Sequence, residues 1–375
     1  MTRTLFDGIT AFRVETPRYT ANVLERPAAD PGSPAATVLF VHGNVSSALF
    51  HQPTMLALPP GMRALAVDLR GFGDSETKPV DATRGLRDFA DDVRAVLDAL
   101  DIPAVHLVGW SMGGGVVMQV ALDAPERVLS LTLESPVSPY GFGGTHGADG
   151  IRNDADGAGT GGGGANPDLV ARLEAGDMSA EGPTSPRAVY RTAYVAKPEL
   201  EIDREDVWVA SMLTTATGVD NYPGDSVASP NWPGFAAGAR GVLNTMAPQH
   251  FDASGIVDLA VKPPILWVHG TADAIVSDAS FFDLNQLGAA GIIPGWPGED
   301  VAPAQPMVSQ TRDVLEAYRA AGGEVTELEM DGVGHAPHLE RPGVFRHALL
   351  QAIGYIAPQH DPAPPTETII LKSED

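Results

Sequence analysis

Short apolar runs, separated by turn residues, occupy the two ends of the chain. Residues 37–42 (TVLFVH), 62–67 (MRALAV) and 104–109 (AVHLVG) are nearly continuous in apolar side chains, the pattern of strands covered on both faces. Residues 128–133 (VLSLTL) and 264–269 (PILWVH) extend the series. Residues 9–14 and 19–25 read as two antiparallel opening strands. Between the runs, Leu86, Phe89, Ala90, Val93, Val96, Leu97 and Leu100 recur at helical spacing and predict a helix over 83–100. Further helices are expected at 113–123, 308–321 and 341–355, with a strand at 323–329. Strands alternating with helices imply a layered α/β fold with a mostly parallel sheet.

The alternation stops between about residues 136 and 250. Residues 141–166 are glycine-rich, and the run Gly161–Gly164 has no side chains to bury, so this stretch is expected to be mobile. Short helices are expected at 168–175, 186–196 and 203–216. A second irregular stretch, 285–306, is dense in Gly and Pro, and the tail 359–375 reads as disordered.

Composition narrows the possibilities. Of 375 residues, 43% are hydrophobic and 19% charged, which suits a large buried core. Acidic residues outnumber basic ones 48 to 24, for a formal charge of −24. Such a surface repels phosphate backbones and anionic headgroups, so neither nucleic acid nor membrane is an expected partner. The first ten residues lack a leader pattern and no apolar run is long enough to span a bilayer, which favours a soluble, cytoplasmic protein. Without cysteine, thiolate catalysis, disulfides and Cys-based metal sites are excluded. No metal or cofactor is called for, and the sequence leaves the oligomeric state open.

The chemistry concentrates at strand ends. Gly109–Trp110–Ser111–Met112–Gly113 fits G-x-S-x-G between a predicted strand and a predicted helix. A serine on so tight a turn needs neighbours without side chains, and the helix behind it supplies free N–H groups. Two amide donors are needed for a developing oxyanion; Met112 and Asn44, in His42–Gly43–Asn44, are the candidates. His42 itself reads as a structural histidine bound to loop backbone. A serine needs a base and the base an acid. His335, in Gly332–Val333–Gly334–His335, follows a predicted strand and is preferred over His338. Asp273, just past strand 264–269, is the preferred acid, with Glu134 its main competitor and Asp278 less favoured. Trp110, Val45, Trp208 and His338 are candidate substrate contacts.

These pieces, with Asp68–Leu69–Arg70–Gly71–Phe72–Gly73–Asp74–Ser75 and the order Ser111, Asp273, His335, resemble the α/β-hydrolase superfamily, in its esterase, lipase and epoxide-hydrolase-like branch. The His42–Gly43–Asn44 turn is similar to that of haloalkane dehalogenases. Ser111 stands where those enzymes and epoxide hydrolases carry aspartate, which argues against both activities. The resemblance implies an eight-stranded, mostly parallel sheet flanked by helices, a core of residues 1–135 and 252–358, and an inserted cap, or lid, over 136–251. It implies a small-molecule substrate, a carboxylic ester or lactone, cleaved through an acyl-enzyme on Ser111 without a cofactor. C–C bond hydrolysis, thioester hydrolysis, perhydrolase or haloperoxidase chemistry and a slow ligand receptor use the same residues and stay open. Aromatic residues of the insertion, Tyr190, Tyr194, Trp208, Tyr222, Trp232 and Phe235, either line a pocket or form their own small core.

Overall fold

The computed structural model describes residues 4–32, 36–200 and 204–355. The tail expected at 359–375 lies outside them.

Eight strands form one sheet: β1 (Thr10–Glu15), β2 (Thr20–Arg26), β3 (Ala36–Val41), β4 (Met62–Val67), β5 (Val105–Trp110), β6 (Val128–Glu134), β7 (Ile265–Gly270) and β8 (Val325–Met330). Their spatial order is β1-β2-β4-β3-β5-β6-β7-β8. β1 runs antiparallel to β2 and β2 antiparallel to β4, and every later pairing is parallel. The opening hairpin and the buried parallel strands therefore form as the apolar runs predict. β8, at the far edge, buries only alternate positions near its end, as an edge strand does.

Helices α1 (Arg87–Ala99), α2 (Met112–Asp123), α3 (Met307–Ala320) and α4 (Pro342–Ala352) flank the sheet. α1 is shorter than the expected 83–100. Asp81 caps a separate turn, Ala82–Arg84, and the helix starts only after Gly85. Val93, Leu97 and Val117 pack with Leu39 and Leu107 on one side of the sheet. Phe345 and Leu349 pack with Val38, Phe40 and Leu266 on the other. Residues of the inner strands alternate between these two layers, so β3 to β7 are buried on both faces and near-continuous apolarity is required of them.

Between β6 and β7 the chain leaves the sheet. The structure corrects the expectation of mobility for 141–166. Thr145–His146 pairs with Ile151–Arg152, and Gly161–Gly164 forms a 3-10 turn. That turn is packed because it is all glycine. A Cβ on Gly161 would strike Asn244 Oδ1, one on Gly162 would lie 2.7 Å from Asp225 O, and one on Gly163 would strike Phe235. The expected helix at 186–196 is a single α-turn, Pro186–Val189, continued by a π-helical turn, Tyr190–Tyr194. The irregular stretch 285–306 includes a short helix, Leu284–Ala289, capped by Asp283.

Candidate active site

Ser111 stands between β5 and α2 with φ 57° and ψ −120°. A non-glycine residue there is strained by about 1–3 kcal/mol, and the neighbours hold it. Its N–H donates to Glu134 O (2.9 Å), and its carbonyl accepts from Gly114 (2.9 Å) and Val137 (3.0 Å). Gly109 and Gly113 have no room for a side chain, since Cβ atoms there would strike Gly113 O and Val41 O. A Cβ on Gly43 would lie 2.8 Å from Ser111 Cβ, so the loop after β3 passes directly against the serine. Met112 opens α2, where first-turn N–H groups have no partner within the helix.

Asp273 and His335 follow β7 and β8. Asp273 Oδ2 accepts from His335 Nδ1 at 2.8 Å, and both side chains are buried. Asp273 Oδ1 accepts from the N–H groups of Ile275 (2.8 Å) and Val276 (2.9 Å). The carboxylate is thus fixed on both oxygens, and Nδ1 of His335 carries the proton, leaving Nε2 as the acceptor. Ala272 N–H donates to Val333 O (2.9 Å), tying the two loops together. Trp110 Nε1 donates to His335 O (2.7 Å).

Ser111 and His335 line one cavity of about 450 Å³ with Asn44, Val45 and Trp110. The competing acids have other work. Glu134 Oε1 accepts from His338 Nδ1 (2.7 Å) and from the His338 N–H (2.8 Å), and Asp278 caps α3 through Val308 and Ser309. His338 is therefore not a substrate contact: it is fully buried, in a pair facing His51. Trp208 is also corrected. It is buried and stacks on Phe50 at 5.1 Å, away from the cavity wall. Of the insertion's aromatics, Tyr194 and Tyr222 line the cavity, whereas Tyr190 and Trp208 are core. His42 is the structural histidine expected. Its Nε2 accepts from Leu69 N–H (3.0 Å), its Nδ1 bonds Gly43 O (2.7 Å), and burial lowers its pKa to about 4.

Sequence reading misses Glu340, Phe281 and Phe282, and the hydrogen bonds made by Tyr194. Tyr194 donates its hydroxyl to the carbonyls of Asn44 and Val45, each at 3.0 Å. Glu340 accepts from Gly334 N–H (2.6 Å) and from Ala196 and Lys197 N–H (3.0 Å each), joining the His335 loop to the segment after Tyr194. Phe281 and Phe282 form part of the cavity wall, in a stretch without periodicity. No motif marks any of them, because each is defined by a partner distant in sequence.

Among the described residues, one cluster has metal-ligand composition, His269, Glu327 and Glu329. Arg312 already pairs with both carboxylates, at 2.7 Å from Glu327 and 3.4 Å from Glu329. No helix among those residues is long and apolar enough to cross a membrane.

Residues 36–300 match the family model described as the alpha/beta hydrolase fold. The chain belongs to the α/β-hydrolase family. Its fold is also that of a probable hydrolytic enzyme from Pseudomonas aeruginosa, with TM-score 0.56 and 20% identity over 92% of this chain and 93% of the other. Curated relatives match over shorter stretches. The dihydrolipoyllysine-residue acetyltransferase component of an acetoin cleaving system from Cupriavidus necator is 43% identical over 115 residues, 30% of this chain and 29% of its own. A putative carbamate hydrolase of Variovorax paradoxus is 46% identical over 97 residues, 26% and 36%. A Bacillus subtilis carboxylesterase is 31% identical over 106 residues, 28% and 36%. The chain thus spans only about a third of the length of these relatives.

Proposed function

We propose that the protein is a serine hydrolase that cleaves a carboxylic ester or lactone. The observation that carries the proposal is the strained Ser111 sharing one cavity with His335, whose Nδ1 is held by Asp273 at 2.8 Å. In this reading His335 Nε2 takes the Ser111 proton as Oγ attacks the carbonyl carbon. The N–H groups of Met112 and Asn44 receive the oxyanion. The protonated imidazole, stabilised by Asp273, then gives its proton to the leaving alcohol, and an acyl-serine remains. Water deprotonated by the same imidazole releases the acid and restores the serine. No step requires a metal or an organic cofactor. Residues 136–251 act as the cap, because Leu169, Tyr194, Tyr222 and Met246 all face the cavity.

The carboxylesterase and carbamate hydrolase among the relatives support acyl transfer as the reaction class. Ser111→Ala should lower turnover of p-nitrophenyl esters by about 10³-fold or more and abolish labelling by a fluorophosphonate. Unchanged turnover in that variant would refute the assignment.

A further inference from the structure

The walls of the cavity restrict what it can hold. Resting on the reading above, we propose that the substrate is an uncharged, largely hydrocarbon ester and that the site rejects esters bearing a carboxylate. Three observations carry this.

The first is the lining. It includes Phe281, Leu284, Leu287, Ile293, Leu243 and Met246. Among the described residues, no lysine or arginine lines the cavity. A carboxylate drawn out of water needs a cation or several hydrogen-bond donors, and an apolar wall supplies neither.

The second is Asp283, the one carboxylate in the lining. It is buried, and its oxygens accept from Asn285 N–H (3.0 Å) and Gln305 N–H (2.7 Å). Burial pushes its pKa up, against those two hydrogen bonds. It caps a helix and braces a loop, and in its ionised form it has no donor to offer. When charged, it adds repulsion toward a second anion. Two further polar side chains are engaged. Asn166 caps the helix Pro167–Glu174, and Thr160 donates to Gly157 O. Asn44 Oδ1 is buried without a partner, and Asn44 follows Gly43 on the loop that passes against Ser111. Unsatisfied polarity is therefore placed at the reacting end.

The third is exposure. Phe281 is 63% and Phe282 43% exposed, although both belong to the cavity wall. Paired aromatic side chains left in water beside an apolar cavity suit the uptake of hydrocarbon.

The test uses two esters of equal length and leaving group, p-nitrophenyl methyl adipate and p-nitrophenyl hydrogen adipate. kcat/KM should favour the neutral diester by at least about a hundredfold, since an unpaired buried carboxylate costs several kcal/mol. Leu284→Arg should narrow that ratio by at least about tenfold, through faster turnover of the acid. Turnover of both esters within about threefold by the wild-type protein would overturn the proposal. Calorimetric binding of the same pair to Ser111→Ala reads the cavity without chemistry. There the neutral ester should bind and the acid should not, and equal binding would overturn the proposal. Selective binding by a protein that hydrolyses neither ester would support the charge preference while refuting the esterase reading.

Discussion

Tyr194→Phe tests whether the insertion holds the catalytic loops in place. The hydroxyl of Tyr194 sits 3.0 Å from both the Asn44 and the Val45 carbonyl, and the residue is 5% exposed. Burial raises its pKa, so it remains a donor at any working pH. The loop it grips is strained, because Val45 has φ 46°. A left-handed conformation costs a non-glycine residue about 1–2 kcal/mol. Removing a buried hydrogen-bond partner costs about 1–3 kcal/mol. The two magnitudes are comparable, so the phenol is sufficient to decide whether the loop keeps its shape. Phenylalanine fills the same space and preserves the ring contacts with Trp110 and His335 at 5.7 and 6.2 Å. The change therefore isolates the hydrogen bonds.

On the proposed mechanism, this loop supplies the Asn44 N–H to the oxyanion. Outright loss of such a donor costs about 10²–10³ in kcat, and displacing it costs part of that. We expect kcat to fall by about tenfold to a hundredfold, with KM nearly unchanged because the wall is intact. Steady-state kinetics on a neutral p-nitrophenyl ester, alongside thermal melting, separates the two effects. In a Val45→Gly background the same substitution should cost less, because glycine adopts positive φ without strain. A kcat within about twofold of wild type, or equal costs in both backgrounds, would refute the reasoning.

Two further predictions concern the scaffold. Gly162→Ala drives a methyl group to 2.7 Å from the backbone oxygen of Asp225, which should cost about 1–3 kcal/mol by overpacking. Gly343→Ala, where a methyl meets open space, should leave the melting temperature unchanged or slightly raised, and equal melting of the two variants would contradict the packing account. The second concerns pH. Burial lowers His42 from an ordinary value near 6.5 to about 4, so its contribution is complete above the unfolded pKa and is lost as pH falls toward the folded one. His51 is lowered in the same sense, whereas Asp68, raised to about 6, acts in the opposite one and favours the fold as pH falls below that value. The stability difference between wild type and His42→Gln removes these shared contributions. It should shrink by about 3 kcal/mol between pH 6.5 and 4, and a constant difference would show that His42 does not titrate as its burial requires.

What could be read from the sequence is what local sterics and burial dictate. β3, β4 and β5 are covered on both faces, so nearly every position had to be apolar and the runs were visible. The Ser111 turn was visible because its crowding leaves only glycine at positions 109 and 113. The preference for Asp273 over Glu134 came from position alone. The structure adds the reason: Glu134 is already engaged by His338, which does not line the cavity.

The segments between β6 and β7, and around 285–306, obey no such local rule. Gly161–Gly164 read as mobile because an isolated glycine run has nothing to bury. In the fold, Asn244, Asp225 and Phe235 close on it from 63 to 83 residues further along the chain, and absence of side chains becomes the condition for contact. Trp208 and His338 were misplaced for a related reason. An aromatic or imidazole ring suits a core and a pocket equally well, and the choice falls to its neighbours, Phe50 for one and Glu134 for the other. Tyr194 shows the converse. Its ring is one among several in the insertion, but its hydroxyl reaches carbonyls 149 and 150 residues earlier. The chemistry proposed for Ser111 can thus be inferred from a strand and a turn, whereas the contacts around it depend on chain closure that no local pattern records.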